Sequence, residues 1–346
     1  IVIAPSGFIE ESVSENLVAG PAMTRRGVFM YGQALERSET GHIDSGLGKQ
    51  PVYGSVSILE PNIDIDKPKQ TLMVDGVEMV FLNMPGSEAP AELTFYLPKH
   101  RAYCGAEVTS RTLHNLYTLR GAKVRDGLSW SEHINRSIAE LDEIDTYFGS
   151  HHWPIWGNKK IRTFIEQQRD TYRFIHDQTM RYANKGYTPK EIAETIKLPE
   201  SLAQSFYNRD YYGTVRHNAK AVYQAYLGWY TANPAKLNPL PEPELAGRYI
   251  EMMGGIESVV NKAQREFDAT NSMSVKDGSK SYRWLAELLN QAVFADPEHG
   301  AAKRLLAKVY DQLGYQAESA PWRDFYLTGA YELRHGGPEK GINPAV

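Results

Sequence analysis

Glu88, Glu107 and the His151-His152 pair are the side chains whose types and placement could do chemistry. Glu88 lies in Met84-Pro85-Gly86-Ser87-Glu88-Ala89-Pro90-Ala91-Glu92, a Pro/Gly/Ala-framed loop directly after a strand-like run. Loops of that kind carry function more often than the elements they join. Further on, Gly105-Ala106-Glu107-Val108 sets a second carboxylate at the end of an apolar strand. Burying it among Cys104, Gly105, Ala106 and Val108 is unfavourable unless a cation or metal faces it. In Gly149-Ser150-His151-His152-Trp153-Pro154-Ile155-Trp156-Gly157, two imidazoles sit where a regular element should end. Glu88, Glu107 and His152 are then oxygen and nitrogen donors at the ends of three elements, and such donors can build a zinc site with bonds of ~2.0–2.2 Å. The residues alone leave a second arrangement open: ion-paired glutamates and a packed junction with one solvated histidine.

The elements that must position these groups change character at the histidine pair. Upstream, residues 1–4 read as a strand stopped by Pro5, residues 21–35 as a helix, and residues 38–57 as a long Gly-rich loop. Residues 71–74 and 77–82 flank Asp75-Gly76, a hairpin turn that wants positive φ. Residues 93–97 and 102–108 are two further strands. Ser129-Trp130-Ser131-Glu132 has capping-box spacing, and behind it Ile134, Ile138, Leu141, Ile144 and Phe148 fall on one helical face that runs toward the histidines. Residues 1–153 thus predict an α/β layer. Downstream the period is helical. Ile161, Phe164, Ile165, Tyr172 and Ile175 form one stripe, Thr188-Pro189 starts another helix, and residues 215–230 form an aromatic-rich third. After a proline-rich connector at 233–243, the stripes Leu285, Leu288, Leu289, Ala292 and Ala302, Leu305, Leu306, Val309 suggest a tetratricopeptide-like hairpin. Residues 336–346 read as a linker.

Composition narrows the classes. The chain has 346 residues, 42% hydrophobic and 23% charged, which is enough for two domains with separate cores. A net charge of −4 without a long basic run argues against nucleic acid as the main partner. The single cysteine, Cys104, excludes an intrachain disulfide and a thiolate zinc cluster. No apolar run is long enough to span a membrane. The opening Ile1-Val2-Ile3-Ala4-Pro5 lacks the charged start of a signal peptide, and the chain does not begin with methionine.

Four strings in order carry a family resemblance: Met84-Pro85-Gly86-Ser87-Glu88-Ala89-Pro90-Ala91-Glu92, Gly105-Ala106-Glu107-Val108, His114-Asn115-Leu116-Tyr117-Thr118-Leu119-Arg120-Gly121 and His151-His152-Trp153-Pro154-Ile155-Trp156-Gly157. They resemble the zinc-dependent alkylsulfatases, which hydrolyse dodecyl sulfate-type detergents on a metallo-β-lactamase fold. Gly213-Thr214-Val215-Arg216-His217-Asn218, Tyr226-Leu227-Gly228-Trp229-Tyr230 and Leu237-Asn238-Pro239-Leu240-Pro241 are similar to that family's dimerisation domain. The resemblance implies α/β followed by all-α: the second half of a metallo-β-lactamase αββα sandwich, then a helical dimerisation domain. Residues 1–153 would be the C-terminal part of the catalytic domain, 154–335 the dimerisation domain, and 336–346 a linker to a further domain.

The resemblance also implies roles. Glu88 would bind one Zn2+, His152 the other, and Glu107 would bridge them, with His151 a neighbour and His114 structural. Asn115 and Arg120 would hold the sulfate, a task suited to the guanidinium fork, with Tyr53 as a weaker contributor. The open alternatives are a salt bridge from Arg120 to Asp126 and a turn cap by Asn115. The family's Thr-His-x-His-x-Asp-His motif is not in the sequence, so an N-terminal segment supplying the other zinc ligands is the expected partner, alongside a second copy of the chain. On this reading the chain resembles a central portion that lacks that segment and a C-terminal sterol-carrier-like domain. The implied reaction is hydrolysis of alkyl sulfates by zinc-activated water, and the family suggests a periplasmic or secreted setting. The competing readings are a non-catalytic dimerising scaffold and another hydrolase of the same superfold.

Overall fold

A computed structural model of the chain describes residues 1–337 apart from 52, 53, 55, 56, 142 and 274. Strand β1 (Ile3–Pro5) leads into the short helix α1 (Phe8–Val13), a π-helical turn at Ser14–Val18, and helix α2 (Gly20–Met30). The helix expected over 21–35 stops at Met30, and Gly32 takes a left-handed φ of 57°. A Cβ on Gly32 would lie 2.9 Å from atoms of Asp324 and His42, so the turn there is packed too closely for a side chain. Strand β2 (Ile63–Ile65) pairs in parallel with β1.

The main sheet has the order β3 (Lys69–Val74), β4 (Val77–Asn83), β5 (Leu93–Leu97), β6 (Ala102–Cys104), β7 (Thr146–Phe148), β8 (Ile155–Trp156). Asp75 (φ 50°) and Gly76 (φ 77°) close the β3–β4 hairpin as the sequence predicts. The β4–β5 and β5–β6 pairs are antiparallel and β6–β7 is parallel. Strands β4, β6 and β7 therefore run the same way, and the loops leaving them emerge on one edge. The crossover from β6 to β7 includes helix α3 (Gly127–Glu140), as a parallel pair requires.

Three local expectations are corrected. The strand predicted over 102–108 ends at Cys104, because after the last ladder bond, from Gly105 N–H to Phe148 O, Ala106 turns left-handed at φ 46°. Glu107 thus lies in a turn, not in a strand. The N-cap of α3 is Asp126, whose carboxylate accepts from Leu128 N and Ser129 N, so Ser129 sits inside the helix. That helix stops at Glu140, and the extended Leu141 (ψ 138°) takes Ile144 and Phe148 off its face, Phe148 into β7.

Four more helices follow: α4 (Asn158–Ala183), α5 (Pro189–Thr195), α6 (Glu200–Ala203) and α7 (Val215–Leu227). Thr188 caps α5 in a full capping box with Glu191. Ile161, Phe164, Tyr172, Ile192 and Val222 share one core with Leu82, Tyr103 and Trp130. The chain then forms α8 (Glu242–Met252), α9 (Ile256–Thr270), α10 (Val275–Ala295), α11 (Gly300–Tyr315) and α12 (Ala320–His335). Here Leu285, Leu289 and Ala292 pack with Ala302, Leu305, Leu306 and Val309 in a second core. The two cores belong to two compact units, Ile1–Met23 with Gly46–Thr231, and Thr24–Ser45 with Ala232–Val346. The division thus places α4 to α7 with the sheet, and the sequence boundary at 153/154 falls inside the first unit. The α/β-then-all-α order stands.

Candidate metal centre

The residues expected to act lie on loops leaving the common edge of β4, β6 and β7. The β4–β5 loop bonds to itself, Met84 N to Glu92 O at 2.8 Å and Gly86 N to Ala89 O at 3.0 Å, and this compact turn presents Glu88. Glu107 sits in the turn after β6, tied to the β7 loop by Ser150 N donating to Ala106 O at 3.0 Å. His114 and Asn115 come from the loop between β6 and α3. Helix α7 holds that loop: Asn218, fully buried, accepts from Leu116 N through Oδ1 and donates to His114 O through Nδ2, both at 2.9 Å. Gly213 packs flat on the same loop, where a Cβ would meet His114 C at 2.5 Å and Asn115 N at 2.6 Å.

Glu88, Glu107 and His114 each offer a ligand atom, all within 4.8 Å of one another. His114 is boxed by Trp130 and Tyr212, with ring centroids at 5.6 Å and 4.9 Å, and its N–H backbone donates to Tyr172 Oη at 3.2 Å. Its Nδ1 lies 3.1 Å from Asn115 O, a carbonyl that can only accept. Arg125 Nη1 is 3.3 Å from the same nitrogen but bonds closer to Asn115 O (2.8 Å) and Oδ1 (2.6 Å), so the carbonyl decides the tautomer. Nδ1 then carries the proton, and Nε2 presents its lone pair. That buried Nε2 has no hydrogen-bond partner among the described residues, and it stands 4.0 Å from Glu88 Oε1 and 3.8 Å from Glu107 Oε2. Burial, then the nearby Arg125, holds His114 down at about 3, so it is neutral at physiological pH. A lone pair facing two carboxylates across such gaps suits an intervening cation.

Two further groups flank the cluster. His151 Nε2 bonds Glu107 Oε1 directly. Burial pushes the Glu107 carboxyl up, but the bond from His151 opposes it, and Glu107 ends below its usual value. Burial likewise pushes His151 down, and the bond to Glu107 more than reverses that. Arg125, a buried guanidinium, bonds Glu88 through Nη2. Glu92 is raised to about 8, first by burial and then by the charge of Glu88, so it stays protonated near neutrality.

The sequence-predicted residues fare differently. Glu88 and Glu107 come together, and Asn115 is buried beside them. Arg120 pairs with Glu15, donates to Gly121 O at 3.2 Å and touches Met23 Sδ at 3.5 Å, while Asp126, its alternative partner in the sequence, caps α3. His152 is exposed with φ 69°, and His114 and His151 face the carboxylates among the described contacts. Tyr53 lies outside the described residues. Sequence reasoning missed Arg125 and set His114 and His151 aside. No local pattern marks Arg125, whose partners lie 10 and 37 residues away.

A mixed α/β unit with a carboxylate–imidazole cluster on one strand edge, in a chain that continues as helices, is the class that this fold and site define. Comparison with known proteins gives the kinship. Residues 188–336 match the family described as alkyl sulfatase dimerisation. A linear primary-alkylsulfatase of Pseudomonas sp. is 47% identical over 336 residues, covering 97% of this chain and 48% of that protein. An alkyl/aryl-sulfatase of Saccharomyces cerevisiae is 46% identical over 340 residues, 98% of this chain and 51% of that protein. The structure of a stereoselective inverting sec-alkylsulfatase from Pseudomonas sp. superposes with a TM-score of 0.93 at 42% identity, over 98% of this chain and 52% of that one. The chain spans about half the length of the curated relatives it matches. The relatives are named alkylsulfatases, in keeping with the four motifs, and the match over residues 188–336 agrees with the likeness of the Gly213, Tyr226 and Leu237 strings to a dimerisation domain.

Proposed function

We propose that the protein is a zinc-dependent hydrolase of alkyl sulfate esters. The observation that carries the metal reading is the unpartnered His114 Nε2 held 3.8–4.0 Å from two carboxylates. The kinship with alkylsulfatases supports the substrate class. Glu88 and Glu107 supply oxygen donors, and His114, His151 and His152 are the imidazoles from which the nitrogen donors come. A bound zinc ion would supply a water of lowered pKa and a Lewis acid for the ester. Around it, Asn115 offers an amide to the sulfate, and Arg120 offers a fork of donors once it exchanges Glu15 for the ester oxygens. Glu92, protonated at neutral pH, adds no third negative charge to the approach of an anion. The helical segment 188–336 would join two copies into a homodimer.

The test is sulfate release from dodecyl sulfate and from a secondary alkyl sulfate by the intact protein, before and after chelation and after readdition of Zn2+. Loss on chelation and recovery with Zn2+ is the expected result. Undiminished turnover in the metal-stripped protein would sink the metal reading, and preference for a phosphate ester would sink the substrate reading. Sedimentation of the same sample reads the dimer.

A further inference from the structure

We infer that Arg125 is a positioning residue for the anion end of this site, acting through the Asn115 amide; the inference rests on the sulfate-ester reading above. Asn115 is almost fully buried, and its amide can face either way as far as shape is concerned. Arg125 removes the choice. A guanidinium only donates, so the Asn115 atom 2.6 Å from Arg125 Nη1 has to be the carbonyl Oδ1. The Nδ2 amide is thereby turned away from Arg125 as a two-proton donor, and among the described residues no acceptor takes it. Uncommitted amide donors are what an anionic oxygen requires; the opposite orientation would present a carbonyl and repel it.

The same side chain does two more things. Nη1 also donates to the Asn115 backbone O at 2.8 Å, which pins the main chain of the residue as well as its amide. Nη2 bonds Glu88, so one rigid fork spans the residue proposed to hold sulfate and a residue proposed to hold the metal. Arg125 itself is buried, 9% exposed, with its terminal nitrogens engaged on these partners, so it acts through them rather than on the substrate. Lysine at this position would keep the charge opposite Glu88, but a single ammonium cannot reproduce the planar two-nitrogen span.

The experiment measures competitive inhibition by inorganic sulfate, together with KM and kcat for dodecyl sulfate, in the intact wild-type protein and in Arg125→Lys, Arg125→Gln, Asn115→Ala and the double variant Arg125→Lys/Asn115→Ala. Thermal melting and zinc content are followed in parallel, because Arg125→Gln strips Glu88 of its counter-charge and can unfold the site. Arg125→Lys is expected to melt near wild type and keep its zinc while raising the sulfate Ki and the KM about tenfold or more, with a smaller change in kcat. In the Asn115→Ala background the same change should have little further effect, since Arg125 would have no amide left to orient. A sulfate Ki within twofold of wild type in Arg125→Lys overturns the inference, as does an effect undiminished in the double variant. If wild type itself neither releases sulfate nor is inhibited by it, the functional reading falls, and the inference with it.

Discussion

Each of the two units buries a histidine against a carboxylate on helix or loop scaffolding, and the two pairs are built differently. In the second unit, His42 Nδ1 meets Asp324 Oδ2 at 3.0 Å, with both side chains shut off from solvent. Arg323 beside it donates to Glu39 O at 2.6 Å and to Gly41 O at 3.0 Å, so α12 clamps the segment around residues 39–42. Here the two groups close to hydrogen-bonding contact, as a buried structural pair must if their interaction is to offset desolvation. In the first unit, His114 stops 3.8 Å and 4.0 Å short of two carboxylates, and Trp130, Tyr212 and Tyr172 keep it there. The residue types are alike. What separates a clamp from a candidate metal centre is the gap and the second carboxylate.

The contrast can be broken, beginning with the largest effect. Glu107→Gln keeps the shape of the side chain and removes its charge, so zinc retention should collapse and sulfate release should fall on the order of 100-fold or more. Metal analysis and turnover read both, and full zinc occupancy in this variant would make the gap a packing accident. His42→Ala should do the reverse. It leaves Asp324 buried without its partner and should lower unfolding stability by about 3–5 kcal/mol, with zinc content and turnover per folded molecule unchanged; loss of zinc from the folded variant would erase the distinction between the pairs.

A smaller effect sharpens the role of burial in the first unit. His217 donates from Nε2 to Tyr117 O at 2.6 Å, and burial holds its pKa down at about 4. The unfolded imidazole binds its proton near ~6.5. Its neutral native form therefore leaves stability intact above that value and erodes it as pH falls from about 6.5 toward about 4. Chemical denaturation across that window should show the decline, and His217→Gln should flatten it; an unchanged slope would mean that other groups carry the acid sensitivity. The smallest effect lies at the rim. Glu15→Gln frees Arg120 from a half-exposed pair, so KM for alkyl sulfate should drop by no more than a few-fold. A rise in KM instead would remove Arg120 from the anion site.

Much of the architecture was legible because its signals are local. Asp75-Gly76 demands left-handed backbone and receives it, and the stripe Ile161, Phe164, Ile165, Tyr172, Ile175 becomes the buried face of α4. Where a local signal failed, a stronger neighbour won. Asp126 took the cap that Ser129 offered, and the left-handed Ala106 turned Glu107 out of a strand. The site was legible by type and only partly by partner. Glu88, Glu107 and Asn115 could be named from motifs, yet Arg125 could not, since its meaning lies in bonds to residues far along the chain.

By itself, the sequence determined the hairpins, the helical stripes and the kinship with alkylsulfatases, and it singled out the two glutamates as candidate donors, because periodicity, turn chemistry and motif order are written along the chain. Only the tertiary structure decided which imidazoles face those glutamates, that Arg120 is paired with Glu15, and that one guanidinium joins Glu88 to Asn115. The physical reason is directional. Hydrogen bonds and charge pairs depend on ångström distances between loops that meet only when β4, β6 and β7 are laid parallel in one sheet, and no spacing along the chain encodes those distances.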